Sequence, residues 1–271
     1  MDWGLFTCGY QRLPLEKAFE DAAAFGYDYI ELWGGYPHAY APDLAADDCG
    51  TVLSLIDRYR IPVRVYTPEH NAYPFNYMLG SERQWRNSMD YLFLSLSCAK
   101  KLGAEKMLIS VGHGGSAPEI ERRQRLMSSL RALSREASRL ELPIVLETLT
   151  PFESNSCTRL SELCEVLEEL DSPFVLGMCD VAVPFVQGED PADYARLLGS
   201  RMAHLHFVDN DGESDTHLIP GEGKMNLKKI LSDFRCSGYD GTATLELVTN
   251  YTDDPTRASG LALERAKELL I

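Results

Sequence analysis

Short, nearly continuous apolar runs recur along this chain, and after almost every one the apolar residues fall at helical spacing. The runs lie at residues 3–6, 27–33, 62–66, 106–111, 143–147, 174–180, 202–208 and 242–248. After the first, Pro14 opens a stretch with Leu15, Ala18, Phe19, Ala22 and Phe25 on one helical face, and Gly26 ends it. Ser81 is placed to cap a long helix that runs toward Leu102 and stops at Gly103. Further helices are expected near residues 53–59, 118–140, 158–170, 191–198, 227–234 and 255–270. Runs that are apolar on both faces suit parallel strands buried on both sides. Eight strand–helix alternations with no composition break predict a single α/β domain over residues 1–271, a closed (β/α)8 TIM barrel rather than an open doubly wound sheet. No phosphate-binding glycine fingerprint follows the first run, which weighs against dinucleotide binding.

In such a barrel the chemistry sits at the carboxyl ends of the strands. Trp33, Glu69 with His70, His113, Glu147, Asp180, His206 and Glu246 all lie at or just past a run's end. A lone acidic residue there usually caps a loop. Glu147, Asp180, His206 and Glu246, however, come from four consecutive strands, and neighbouring strands lie ~4.8 Å apart. Together they predict one divalent metal ion, and three oxygens with one nitrogen suit manganese, cobalt or magnesium better than a thiolate-preferring site does. His204, two residues before His206, shares its side of the strand one layer deeper and is expected to support rather than ligate. His70 and His113 are expected to line the pocket, and His38 is left open between surface and rim. Glu153, His113, Glu69 and Trp33 are the candidate substrate contacts, Trp33 offering an aromatic face. Asp209 and Asp211 read as loop caps, and Gly221-Glu-Gly223-Lys224 as a tight turn in preference to a phosphate site.

Composition narrows the partners. The formal charge of −15 is spread along the chain, with no clustered Lys and Arg, so nucleic acid is not an expected partner. No apolar run approaches the ~20 residues that span a bilayer, and no basic segment followed by an apolar one opens the chain. Seven cysteines without a Cys-x-x-Cys pair read as reduced thiols, so a cytoplasmic protein without a membrane partner is expected.

The pattern resembles the sugar isomerase/epimerase superfamily with a xylose-isomerase-like barrel, and within it the ketose 3-epimerases. The resemblance is carried by Phe6-Thr-Cys-Gly9, Gln11-Arg-Leu-Pro14, Trp33-Gly-Gly35, Pro37-His38, Ala41-Pro-Asp-Leu44, Tyr66-Thr-Pro-Glu69, Leu149-Thr-Pro151, Glu153-Ser-Asn155, Ser214-Asp-Thr-His217, Pro220-Gly-Glu-Gly-Lys-Met225 and Glu246-Leu-Val-Thr249. It implies an isomerase with Glu147, Asp180, His206 and Glu246 on one divalent ion, manganese first and cobalt, magnesium, iron or zinc as alternatives. Glu147 and Glu246 would be the two bases that invert C3 through an enediolate. It also implies a homo-oligomer. Two departures matter: Val183 and Gly212 stand where free-ketohexose epimerases place a substrate-binding His and Arg, while their second carboxylate is kept as Glu153. The block from Ser214 to Met225 belongs to a narrower subgroup, so the expected ligand is a small sugar or sugar–amine conjugate. A free-ketohexose 3-epimerase and another isomerase of sugars or sugar phosphates, such as one moving the carbonyl between C1 and C2, are the nearest alternatives. A trinuclear-zinc DNA-repair endonuclease on the same barrel needs more than six histidines and a basic surface. A non-catalytic sugar-binding barrel has no use for two bases.

Overall fold

The computed structural model describes residues 1–248 and 250–270, so Thr249 of the last motif lies outside the described residues. Eight parallel strands close in sequence order into a barrel. They are β1 (Asp2–Phe6), β2 (Tyr29–Gly34), β3 (Val63–Pro68), β4 (Lys106–Ser110), β5 (Ile144–Glu147), β6 (Val175–Asp180), β7 (Met202–His206) and β8 (Thr242–Leu245). All eight predicted strands are present, and β1 pairs with β8 to shut the sheet. The last is shorter than its apolar run: β8 ends at Leu245, so Glu246 stands just above the ladder.

The helices of the outer ring follow from local chemistry. α1 (Leu15–Phe25) buries Leu15, Ala18, Phe19 and Ala22 and stops where Gly26 turns left-handed, at φ 80°. Next come two helices between β2 and β3, α2 (Ala41–Ala46) and α3 (Gly50–Tyr59). α4 (Glu82–Lys101) opens with a capping box in which Ser81 and Gln84 bond reciprocally. α5 (Glu119–Leu140) and α6 (Leu160–Leu170) follow. β6 leads into α7 (Ala182–Val186) and then α8 (Ala192–Leu198). α9 (Leu227–Cys236) and α10 (Pro255–Glu268) complete the ring. The short α2 and α7 were not anticipated: each is too brief to show a helical period, and α7 is entirely apolar.

Two layers of packing hold the barrel. The larger cluster lies between strands and helices. A small inner one, Tyr29, Val65, Leu108, Val145 and Met178, fills the lumen. Polar groups continue that lumen upward. At the floor, Lys106 Nζ donates to Ala203 O (2.9 Å) and Thr242 Oγ1 (3.0 Å). Thr242 Oγ1 lies 2.8 Å from His204 Nδ1, and His204 Nε2 lies 2.9 Å from Glu31 Oε2. Glu31, wholly buried, reaches His206 at the top. The barrel is thus threaded by a hydrogen-bonded column that ends at the predicted site.

Candidate active site

Register brings the site residues level. Asp180 pairs with His206 across β6 and β7, and Glu147 with Ser110 across β4 and β5. Glu246, one residue past β8, leans over the same point. Ligand atoms of Glu147, Asp180, His206 and Glu246 all lie within 4.8 Å of one another. They face a cavity of about 320 Å³ that is also lined by Trp33, Glu69, His70, Glu153, Val183, Asp215 and His217. That size is typical of a small-ligand pocket.

The arrangement fits a divalent cation. His206 Nε2 bonds Glu31, 3.1 Å from Oε1 and 3.3 Å from Oε2. Its Nδ1 lies 2.7 Å from Glu246 Oε2 and 3.3 Å from Glu147 Oε1, yet has no hydrogen bond of its own. A ring nitrogen aimed at carboxylates without bonding them is the donor a shared cation needs, and Glu31 behind it is the usual partner that orients a metal-binding histidine. Electrostatics agree. Burial raises the Glu147 carboxyl to about 7; His206 opposes this, while Glu246 and Asp180 push it the same way. Burial works to lower the His206 imidazole, but Glu246 and Glu31 outweigh it and hold it well above its ordinary value. The pocket is short of positive charge.

A second group, Glu31 with His204 and His206, is equally compact. It is fully buried and its members bond one another, so it reads as the support beneath the site, the role expected of His204. His204 and His206 hold the Glu31 carboxyl well below the usual range although burial alone would raise it. Thr67 Oγ1 adds a bond of 2.7 Å to Glu31. Sequence reasoning missed Glu31. Its only signal was a single charge within an otherwise apolar strand.

The proposed substrate contacts divide. Trp33 lines the cavity, its Nε1 donating to Glu69 Oε2 at 2.6 Å, and Glu69 lines it too. The ring is wedged edge-on against His38, whose Nε2 lies 3.0 Å from Leu13 O. Gly35 makes room for it, since a Cβ there would sit 2.2 Å from the indole. Glu153 stands at the open rim, its Oε2 accepting from Thr150 Oγ1 at 3.2 Å. His113 is a correction. β4 stops at Ser110, and the chain beyond it carries His113 outward; the ring is exposed, accepts from Gly115 N at 2.9 Å, and does not line the cavity. His70 does line it: Ser110 N donates to Nε2 (3.3 Å), which leaves the ring proton on Nδ1, and burial depresses the imidazole to about 4.

The loop after β7 adds two residues. His217, buried, lies with Nε2 3.3 Å from Asp180 Oδ2 and Nδ1 3.4 Å from Glu246 Oε2. Asp215 Oδ1 is 3.9 Å from His217 Nε2. The loop is held by its own polar groups. Asp209 accepts from Asn210 N, Gly221 N and Met225 N, and Asp211 from Glu213 N and Ser214 N, so both act as the caps their sequence suggested. A Cβ at Gly223 would lie 2.3 Å from Asp209 Oδ1, so the glycine-rich block is a close-packed turn against that cap.

Comparison with known proteins identifies the family and the fold. The family model described as xylose isomerase-like TIM barrel matches residues 19–269. Fructoselysine 3-epimerases of Shigella flexneri and of Escherichia coli O157:H7 are each 44% identical over 271 residues, spanning 100% of this chain and 98% of theirs. Among solved structures, a D-tagatose 3-epimerase-like protein superposes with a TM-score of 0.81 at 22% identity, covering 100% of both chains. A D-psicose 3-epimerase of Clostridium cellulolyticum H10 solved with D-tagatose gives 0.81 at 16%, covering 100% of this chain and 99% of its own. These two likenesses speak to the fold.

Proposed function

This chain belongs to the xylose isomerase-like TIM barrel family and is an isomerase of the epimerase kind, and from that premise we propose that it is a divalent-metal-dependent 3-epimerase of amine-linked ketoses, interconverting fructoselysine and psicoselysine. The observation that carries the reading is the pair Glu147 and Glu246, which approach one imidazole nitrogen, His206 Nδ1, from β5 and from beyond β8. Inversion at C3 requires a proton to leave one face of the carbon and another to arrive at the opposite face, and two carboxylates across one cavity supply that.

Glu147, Asp180, His206 and Glu246 would hold the metal, manganese by the softness and number of their donors. When bound, it polarises the C2 ketone and so acidifies the C3 proton. One glutamate then takes that proton and the other returns one to the far face, giving the C3 epimer. Trp33 and Glu69 supply a stacking face and an acceptor on the β2–β3 side of the cavity. Val183, at a position where free-ketohexose epimerases carry a histidine, presents only an apolar wall, in keeping with a different sugar. A homo-oligomer and a cytoplasmic location accompany this reading.

The test is C3 exchange. The protein is incubated with manganese and fructoselysine in deuterium oxide and followed by proton NMR. Deuterium entering at C3, together with a second epimer, is expected. Turnover without label at C3 would overturn the two-base scheme, and no turnover of any ketosamine would overturn the substrate.

A further inference from the structure

The loop between β7 and α9 is bonded mainly to itself. Asn210 Nδ2 donates to Ser214 O (2.9 Å) and Thr216 O (2.8 Å), Asp209 and Leu218 exchange backbone bonds, and Thr216 Oγ1 accepts from Asp211 N at 3.1 Å. That internal frame fixes Asp215 and His217 on the cavity wall.

Six carboxylates line the cavity: Glu69, Glu147, Glu153, Asp180, Asp215 and Glu246. Neither Lys nor Arg is among the lining residues, and the basic groups are His70, His206 and His217. A divalent ion among Glu147, Asp180, His206 and Glu246 offsets two of these charges. Asp215 and Glu153 remain on the cavity lining, and the charge of Asp215 works to raise the Glu153 carboxyl. Two neighbouring carboxylates repel unless a proton or a cation joins them. Beside them stands His217, its Nε2 3.9 Å from Asp215 Oδ1. It is 9% exposed and its Nδ1 has no hydrogen-bond partner, so this ring too is left with an unmet polar atom beside the cavity.

We infer that Asp215 and Glu153 form a subsite for a cationic nitrogen attached to the substrate's C1, the protonated secondary amine that an amine-linked ketose has and a free ketose lacks. The inference rests on the function proposed above and adds which residues select the amine. C1 is two carbons from C3, so a nitrogen on it stays in the chamber where Glu147 and Glu246 face the reacting carbon. Asp215 reaches that chamber beside His217, itself 3.4 Å from Glu246. A ketohexose would bring a neutral C1 hydroxyl to the same pair and leave its repulsion unrelieved, which penalises the wrong ligand as well as favouring the right one.

The test reads selectivity. With manganese saturating, kcat/KM for C3 exchange is measured on fructoselysine and on its derivative acetylated at the C1-linked nitrogen, which makes that nitrogen a neutral amide, for the parent protein, Asp215→Asn and Glu153→Gln. Calorimetric binding of both ligands is measured alongside. The preference for the charged ligand is expected to fall at least tenfold in each variant, chiefly through KM, with the thermal midpoint held. An unchanged ratio overturns the subsite, whatever happens to the overall rate, and Glu153→Gln carries the test if Asp215→Asn does not fold. If the parent protein exchanges C3 of neither ligand, the proposed reaction fails, while the binding ratio still judges the subsite.

Discussion

Glu31 Oε1 and His206 Nε2 lie 3.1 Å apart in the closed lumen of the barrel, so the imidazole that faces the cavity is oriented from behind by a carboxylate with no exposure to solvent. Removing such a partner usually weakens a metal site by about 10- to 100-fold. Glu31→Gln keeps the shape and loses the charge, and is expected to weaken manganese binding by about tenfold or more. Calorimetric titration of the metal-free protein reads it, and an affinity equal to the parent's would contradict the role given to Glu31.

Glu246→Gln and Glu147→Gln are expected to lower kcat on fructoselysine by roughly 10²- to 10⁴-fold, the range general acid–base groups supply. KM should move only a few-fold, measured with manganese high enough to compensate for weaker binding. A variant with near-parental kcat would remove its residue from proton transfer.

Metal removal is expected to abolish activity reversibly. Because the ion binds only the folded chain, manganese at 100 times its Kd should add about 2.7 kcal/mol to stability. Thermal unfolding with and without the ion checks this; a midpoint that does not depend on manganese would speak against a site at these four residues.

His70 sets a pH dependence. Its folded value, depressed to about 4 by burial, lies below the ordinary ~6.5 of an unfolded histidine. Between those two values the unfolded chain binds a proton that the folded chain refuses, so stability is full above pH ~6.5 and falls as pH drops toward 4, by about 3 kcal/mol in total. Denaturant unfolding of the metal-free protein across this range should slope more steeply for the parent than for His70→Gln. Parallel curves would show that His70 is not held neutral.

Gly223→Ala puts a methyl against the Asp209 cap, and crowding of that kind typically destabilises by about 1–3 kcal/mol. A loss of selectivity for the charged ligand should accompany it, since the same loop carries Asp215. Unfolding midpoint and the kcat/KM ratio are the two readouts.

Much of this was legible before the fold was in view. Eight apolar runs, and the carboxylates or imidazole at the ends of four of them, name both the barrel and the Glu147–Asp180–His206–Glu246 cluster, because strand register converts position in the chain into height in the barrel. Residues that do not end a strand are harder. Glu31 sits mid-strand, and only the inward sense of alternation, with His204 and His206 waiting across the lumen, explains a charge there. His113 failed for the opposite reason: it follows a strand, but the two residues between Ser110 and it, Val111 and Gly112, are past the ladder and carry the ring outward. Asp215 and His217 depend on a loop whose path is set by Asp209 and Asn210, contacts that no periodicity records.

The column from Lys106 through Thr242, His204 and Glu31 to His206 has a consequence for how this barrel can evolve. The amino-terminal end of a TIM barrel ordinarily answers only for stability, and its interior accepts any residues that fill the space. Here the floor and the reaction chamber share one string of hydrogen bonds. Exchanging Lys106 or Thr242 for an apolar residue of equal size would remove the first links of the column whose far end orients His206. In this chain, drift at the bottom of the barrel is an edit to the chemistry at the top.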